Sequence, residues 1–208
     1  MKIVEVNNEI IKSKIYSNLK KQFSEQLTEE ELKKVKSITL NSKDSNQNRI
    51  NYNEYDYKCL ENLETITLNG FIIDDEMITN LNYLKNLKTI IFNHCTFKNE
   101  KTINNEVENL LITYSKLERF NLFKNVEKIK AVELIEVGEI DIKDITNIEN
   151  IIELSIYNSK IKNSIMINDF INLKKLKLDG SLVDEEKFSE LLNKSIEFSY
   201  KEKYFLES

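Results

Sequence analysis

The chain has 208 residues, of which 40% are hydrophobic and 31% are charged. That composition fits a folded domain with a sizeable core rather than a disordered chain, and no apolar run reaches the roughly 18 residues of a membrane-spanning helix. The 30 basic and 35 acidic residues give a net charge of −5. This balance argues against a nucleic-acid binder, because such proteins usually carry a concentrated basic surface.

The N-terminal residues contain no secretory signal, because charged and polar side chains interrupt the short apolar stretch after Met1. We therefore expect a cytoplasmic protein by default, with secretion or surface display as the alternative if a leader has been removed. Cys59 and Cys95 are the only cysteines, which is too few for a small secreted domain held together by disulfides.

Two short helices are predicted before residue 35. Apolar residues recur every four positions, as on one face of an amphipathic helix, at Ile11, Ile15, Leu19 and Phe23. The segment Thr28-Glu29-Glu30-Glu31 matches a capping box that opens a second helix, with Leu32 as its buried residue. Together the two helices would cover the open end of the structure that follows.

A repeat of 22 residues begins at Val107 and continues with units that start at Ile129, Ile151, Leu173 and Ser195. The first, fourth, sixth and twentieth positions of the four complete units are all apolar. These residues are Val107, Leu110, Ile112, Val126, Ile129, Val132, Leu134, Ile148, Ile151, Leu154, Ile156, Phe170, Leu173, Leu176, Leu178 and Leu192. Units of altered length begin upstream at Val35, Leu63 and Leu87, and Ile196, Phe198 and Tyr200 alternate as a final strand would.

The apolar pattern predicts one short strand in each unit. Positions four and six lie on one face of an extended chain and point into the core, whereas positions three, five and seven point outward. Stacked units would form a curved parallel sheet, with short helices and turns on the convex side. We expect an α/β solenoid in one cooperative domain, with residues 1–34 as a helical cap and 35–208 as the repeat array with its C-terminal cap strand.

Three return segments have their own signals. Asp74-Asp75-Glu76 predicts the start of a helix, and Asp184 predicts the cap of another. The buried faces of these two helices would carry Met77, Ile78, Leu81 and Leu84 in the first and Phe188, Leu191 and Leu192 in the second. The polar run Asn41–Asn48 predicts a surface loop.

The pattern resembles that of the leucine-rich repeat family, L-x-x-L-x-L, as in Leu173–Leu178 and, with Ile66 at its centre, in Leu63–Leu68. Further apolar positions at eleven, fourteen and seventeen, occupied by Leu117, Phe120 and Phe123, are similar to the 22-residue, internalin-like bacterial subclass. The helices before Val35 resemble the N-terminal cap of internalin-type proteins. The resemblance covers roughly residues 35 to 208 and implies a leucine-rich repeat solenoid with a helical N-terminal cap.

The ninth position departs from that family, in which it is usually an asparagine that bonds to the backbone of the turn. Here it is occupied by Phe71, Cys95, Ser115, Val137, Ser159 and Ser181. Cysteine and serine are small substitutes, while Phe71 and Val137 have no group to donate. We therefore expect no asparagine ladder and less regular turns. Gly70 and Gly180 share position eight, which indicates a tight turn there.

No arrangement of residues predicts catalysis or a metal site. His94 is the only imidazole, and its neighbour Cys95 would point inward, so they do not form a nucleophile and base pair. The cysteine spacing does not match zinc, and Leu182 and Val183 interrupt any calcium loop after Asp179. Lys174, Lys175 and Lys177 are typical of a solvated face. We expect a protein that is not an enzyme and needs no cofactor or metal.

The outward strand positions predict a binding surface. By register, apolar residues occupy neighbouring positions on this face, with acidic residues beside them. The predicted protein-binding residues are Ile91, His94, Leu111, Thr113, Tyr114, Glu133, Ile135 and Tyr157. The partner would be another protein with some basic character, and the chain a monomer by default. One alternative is that Ile and Tyr occur at these positions only because strands favour them for packing. Another is that the chain's own terminus or a second copy of the chain covers the patch.

The resulting hypothesis is a non-catalytic protein-binding module of a bacterial leucine-rich repeat protein, acting through its concave strand face. A second hypothesis is a cytoplasmic inhibitor or immunity protein that neutralises a toxin or enzyme. Its grounds are the size of the chain, its acidic balance and the missing signal.

Overall fold

The computed structural model describes residues 2–44, 56–57, 59–98, 101–103, 106–117, 128–145, 148–183 and 196–201. In chain order, the elements that precede the repeats are β1 Ile3–Val4, α1 Glu9–Leu19, β2 Leu27–Thr28 and α2 Glu29–Leu32. The repeats contribute β3 Ser37–Asn41, β4 Thr65–Asn69, β5 Ile72–Ile73, α3 Asp75–Leu81, β6 Thr89–Asn93, β7 Thr96–Phe97, β8 Asn109–Thr113, β9 Ala131–Ile135, β10 Glu139–Asp141, β11 Glu153–Tyr157, β12 Lys160–Lys162, β13 Lys175–Lys177 and β14 Glu197–Ser199.

Eight strands form one parallel sheet in the spatial order β3, β4, β6, β8, β9, β11, β13, β14. From β8 onward, paired residues on neighbouring strands are 22 positions apart, as in Asn109 with Ala131 and Glu153 with Lys175. The predicted register and the predicted last strand are therefore both present in the structure. β5 with β7 and β10 with β12 form two small parallel sheets in the return segments.

The inward positions of the strands form a continuous apolar core. From β4 to β13 the residues at positions four and six are at most 3% exposed: Ile66, Leu68, Ile90, Phe92, Leu110, Ile112, Val132, Leu134, Leu154, Ile156, Leu176 and Leu178. In the last unit, Phe198 and Tyr200 are only partly buried and pack against this core. Alternation along an extended chain places every second side chain on this face, and each unit buries it against its neighbours. Burial on this scale, repeated along the stack, is the main stabilising term of the fold.

The N-terminal elements lie at one end of the sheet, where α1 packs beside β3 and β1 pairs antiparallel with β2. Asn8 caps α1, since its Oδ1 accepts hydrogen bonds from the backbone N–H groups of Ile10 and Ile11 at 3.0 Å. The predicted capping box is confirmed: Thr28 Oγ1 accepts from the N–H of Glu31, and Glu31 Oε2 accepts from the N–H of Thr28. Dividing the chain at residues 1–34 and 35–208 stays a prediction.

The first helix is shorter than its four-residue periodicity predicts. It ends at Leu19, because Lys20 adopts a left-handed conformation with φ 54° and its N–H bonds to the carbonyl of Ser17. The inclusion of Phe23 in the helix is therefore wrong. That side chain is 54% exposed and stacks on Tyr16, with ring centroids 4.9 Å apart. The sequence has no signal for this helix C-terminus, since the residue in the left-handed conformation is not a glycine.

The return segments differ between units. Asp74 caps α3 by accepting from the N–H of Met77 at 3.0 Å, and Met77, Ile78 and Leu81 are buried, as predicted. Leu84 is buried too, but the helix ends at Leu81, so its predicted place within the helix is wrong. Later units use 3₁₀ turns at Ile142–Asp144, Ile148–Asn150 and Ser164–Asp169. The predicted helix after Asp184 lies outside the described residues, as does the second half of the predicted loop Asn41–Asn48. In its first half Asn41 ends β3, Ser42–Asp44 forms a 3₁₀ turn, and Ser42 is buried, so this half is not the surface loop that the polar run predicts.

Candidate functional site

The outward side chains of the eight-stranded sheet, which we call the strand face, carry six of the eight predicted binding residues. Ile91 is the direct cross-strand partner of Leu111, and Leu111 is the partner of Glu133. In the next column Thr113, Ile135 and Tyr157 are paired in the same way. All six are partly exposed. Neighbouring strands lie about 4.8 Å apart, so each column is a continuous row of adjacent side chains.

The other two predicted residues, His94 and Tyr114, lie in the turns that follow β6 and β8. Their rings stack with centroids 5.0 Å apart and an angle of 16° between the planes. Tyr114 is 49% exposed, and His94 is exposed as well. The stack borders the strand face at the carboxyl ends of the strands, so the structure places the eight residues on one connected surface.

Position eight adopts the left-handed conformation in six consecutive units. The residues and their φ angles are Gly70 75°, His94 53°, Tyr114 50°, Glu136 51°, Asn158 51° and Gly180 67°. In each unit the N–H at this position bonds to the carbonyl of residue seven in the next unit, for example Tyr114 to Ile135 at 2.8 Å. The chain must turn sharply there while keeping that bond. The turns are therefore more regular than expected from position nine, and the tight turn at Gly70 and Gly180 is confirmed.

Serine side chains at position nine connect adjacent turns. Ser115 Oγ accepts from the N–H of Cys95 at 2.9 Å and donates to the carbonyl of Thr113 at 2.8 Å. Ser159 bonds to Val137 and Tyr157 in the same way. The hydroxyl groups thus satisfy buried backbone N–H groups, the role expected of asparagine in this position. The sequence suggested serine as a substitute but did not reveal that it bridges two units.

Cys95 and His94 do not cooperate chemically. Cys95 is 2% exposed, and its Sγ donates to the carbonyl of Leu68 at 3.3 Å. Burial raises the pKa of the Cys95 thiol to about 11, so the thiolate needed for nucleophilic attack is scarce at neutral pH. His94 faces solvent on the other side of the turn. This matches the arrangement predicted from their positions in the repeat.

Acidic side chains lie beside the apolar part of the strand face. Glu133 and Glu136 make no ion pair with any residue that the structure describes, and Glu136 Oε1 accepts only a long hydrogen bond from Asn158 at 3.5 Å. Glu153 differs, because Lys175 Nζ lies 3.6 Å from its carboxylate. Two unneutralised carboxylates therefore border Leu111 and Ile135.

Polar side chains connect neighbouring strands on the strand face. Thr113 Oγ1 donates to Asn93 Oδ1 at 2.7 Å, and Asn69 Nδ2 donates to Asn41 Oδ1 at 2.7 Å. These bonds run between neighbouring strands, so the side chains are held in place before any partner arrives.

Metal-ligand groups and membrane-spanning helices can be assessed in the parts of the chain that the structure covers. Within them, no three His, Cys, Asp or Glu side chains are grouped so as to hold a metal ion. Their helices are also too short or too polar to cross a bilayer. That the protein is not an enzyme and needs no cofactor stays a prediction.

Comparison with known proteins identifies the architecture. No protein-family model and no curated protein matches the sequence. Among solved structures, InlP of Listeria monocytogenes is similar with a TM-score of 0.54 at 13% sequence identity, over 85% of this chain and 52% of that one. The fold is that of a leucine-rich repeat internalin. An internalin of the same organism, InlF, matches with a TM-score of 0.36 at 16% identity, over 94% of this chain and 76% of that one.

The internalin-like fold confirms the predicted fold class and the predicted resemblance. At 13% identity the likeness to InlP concerns the fold, and the chain spans about half the length of that protein. In this architecture the strand face is the concave side of the solenoid.

Proposed function

We propose that the chain is a non-catalytic protein-binding module of an internalin-like protein, and that it binds through the strand face. One observation carries this proposal. Ile91, Leu111, Ile135 and Tyr157 are partly exposed at neighbouring register positions, although the core on the other side of the sheet is already filled. Exposed apolar groups that adjoin one another are typical of interaction sites.

The aromatic stack supports the same surface. His94 and Tyr114 are held by a backbone conformation that costs a residue other than glycine about 1 kcal/mol or more. The stack of the two rings restricts their side-chain torsions at the carboxyl edge of the strand face, so less conformational entropy is lost on binding. Aromatic residues of this kind are enriched among those that dominate binding energy at interfaces.

The partner would carry basic groups near its apolar contact. Glu133 and Glu136 border the apolar residues without ion pairs to other described side chains, so a Lys or Arg of the partner would meet an available carboxylate. The cellular location stays a prediction, and the internalin-like fold is compatible with secretion or surface display. Nothing in the structure or the comparisons favours the inhibitor or immunity alternative, so it is not developed further.

The test uses substitutions on the strand face with a matched control. Leu111→Glu and Ile135→Glu place charge in the apolar centre, whereas Thr39→Glu makes a comparable change in the column of Leu111, three strands away. We expect partner capture from a cell lysate, quantified by mass spectrometry, to be lost with the first two variants and kept with the control. Circular dichroism should be unchanged in all three. Equal capture by all the variants would contradict the use of this face.

A further inference from the structure

Residues just before the strands, at position two of each unit, form a ladder of alternating charge. It runs through Lys36, Glu64, Lys88, Glu108 and Lys130. Lys36 Nζ lies 3.0 Å from the Glu64 carboxylate, Lys88 Nζ lies 4.0 Å from it, and Lys130 Nζ lies 3.4 Å from the carboxylate of Glu108. Each cation in this part of the ladder therefore has a carboxylate on a neighbouring unit.

The alternation breaks at Ile152, where the next carboxylate would stand. The backbone register continues without change, because the N–H of Ile152 bonds to the carbonyl of Lys130 at 2.7 Å and that of Lys174 to the carbonyl of Ile152 at 2.8 Å. Lys174 is exposed and makes no ion pair within the described ranges. Two lysines thus flank a rung that lacks the acidic group found between lysines elsewhere in the ladder.

An open depression of about 500 Å³ lies over this rung. Its walls carry three lysines, two amides and one carboxylate around Ile152, namely Lys128, Lys130, Lys174, Asn150, Asn172 and Glu149. Lys128 and Lys130 pair on their far side with Glu106 and Glu108. Asn172 Nδ2 donates to the backbone carbonyl of Glu149 at 2.6 Å, which holds one edge in place.

We propose that this depression docks an extended acidic segment of another protein, with one carboxylate seated between Lys130 and Lys174. The lining residues include three lysines and one carboxylate, and Lys174 is the one of these lysines that makes no ion pair within the described ranges. A carboxylate of the segment would therefore pair with Lys174 and share Lys130 with Glu108, and Ile152 offers an apolar contact to its methylene groups. The volume exceeds what a single small anion needs, and lysine binds as a flexible point charge without the bidentate geometry of arginine. These features favour a carboxylate-rich chain over a free phosphate.

The depression is separate from the surface proposed for the main function. Position two precedes each strand and position eight follows it, so the depression and the stack of His94 on Tyr114 lie at opposite ends of the strands. A partner on the strand face would leave the depression accessible. The two proposals therefore stand or fall independently.

The test measures binding of a fluorescein-labelled hexaglutamate peptide to the full chain by fluorescence anisotropy at low ionic strength. Lys174→Gln removes one cation, and Ile152→Glu supplies the missing carboxylate from within the chain. We expect each variant to bind the peptide about fivefold more weakly, which is the change given by losing one charge pair of roughly 1 kcal/mol. Added salt should also weaken binding of the peptide to the native chain, because it screens the attraction between the lysines and the carboxylates.

Two control variants separate local from general effects. Ile152→Gln has the shape of the glutamate variant without its charge, and Lys88→Gln removes a cation whose carboxylate partner is present. Both should bind the peptide within about twofold of the native chain. Lys174 is a surface residue, so its variant keeps the test valid if a substitution at Ile152 disturbs folding.

The following outcomes would overturn the proposal. One is that the peptide does not bind measurably, and another is that Lys88→Gln and Lys174→Gln reduce peptide binding equally. A third is that inorganic phosphate displaces the peptide at an equal concentration of charge. The last result would indicate a phosphate site instead. Loss of peptide binding with Lys174→Gln and retention with both controls would support the acidic segment.

Discussion

The two halves of the strand face differ in chemistry although their backbones pair in the same way. On β3, β4, β6 and β8 the outward residues are Ser, Thr and Asn, apart from Ile91 and Leu111. On β9, β11, β13 and β14 they include Glu133, Glu153 and Lys175. The first half is connected by hydrogen bonds between neutral side chains, whereas the connections in the second half involve charged groups: the ion pair of Lys175 with Glu153 and the hydrogen bond that Ser199 Oγ donates to the Asp179 carboxylate. The apolar patch lies where these halves meet.

The halves also differ in the length of their units. Paired residues are 28, 24 and 20 positions apart between the strands from β3 to β8, and 22 apart from β8 onward. The longer return after β4 contains α3, whereas the later returns contain 3₁₀ turns. The strand register depends on inward alternation and the backbone ladder, and the return segments absorb the variation in length. The number of residues per unit is therefore set by the return segments, and the sheet forms whether or not that number is constant.

Matched core substitutions test whether the halves are energetically separable. Leu68→Ala and Leu154→Ala each remove a fully buried leucine, one from each half. We expect each to lower the free energy of unfolding by about 3 kcal/mol, through lost burial and the cavity that remains. Since repeat units contact only their neighbours, hydrogen exchange through local opening should rise mainly in the half that carries the substitution, while global unfolding of the one cooperative domain remains a single transition. Equal loss of protection in both halves would show one indivisible unit.

The left-handed turns give a second comparison, in which substitutions in the two halves should change the free energy of unfolding in opposite directions. Gly70→Ala puts a Cβ at φ 75° and 2.6 Å from Ser42 Oγ, so we expect a loss of about 1–2 kcal/mol. Glu136→Gly relieves the same conformation in the other half and should gain about 0.5–1 kcal/mol after the entropy cost of glycine. Urea unfolding measures both. Glu153→Gly, in a strand of normal conformation, is the control and should destabilise the protein.

A smaller effect is expected from pH at the N-terminal end. A hydrogen bond from Lys21, at 2.7 Å, and others from Thr28 lower the pKa of Glu31 to about 2. The folded-state value lies below the ordinary value near 4.5, so protonation favours the unfolded chain. The contribution of Glu31 to stability is complete above that ordinary value and is lost as the pH falls towards 2.

The measurement is the melting temperature between pH 6 and about pH 2, with hydrogen exchange to locate the change. Glu31→Gln should flatten the acid decline, because the titrating carboxylate is gone. Glu29→Gln removes a carboxylate from the same helix and leaves the contacts of Glu31 in place, so it should keep the decline. Identical profiles for the native chain and Glu31→Gln would contradict the role of this carboxylate.

Sequence reasoning succeeded where the signal is local or periodic. The capping box at Thr28 and the cap at Asp74 depend on residues within four positions of one another. The inward residues of the strands follow from a period of two inside a period of 22. It failed at the end of α1, where Lys20 takes a left-handed conformation with no glycine to announce it. It also underestimated the regularity of the turns. Ser115 and Ser159 form hydrogen bonds between units that are adjacent only because the repeats stack.

The candidate site likewise has features that the sequence predicts and features that depend on the stacking of the units. The sequence showed which residues point outward, because alternation along a strand follows from backbone geometry alone. Contacts between residues 20 or more positions apart depend on how the units stack, as in the stacking of His94 on Tyr114 or the gap that Ile152 leaves between Lys130 and Lys174. Local sequence therefore set the face of each side chain, and packing of one unit on the next set its neighbours.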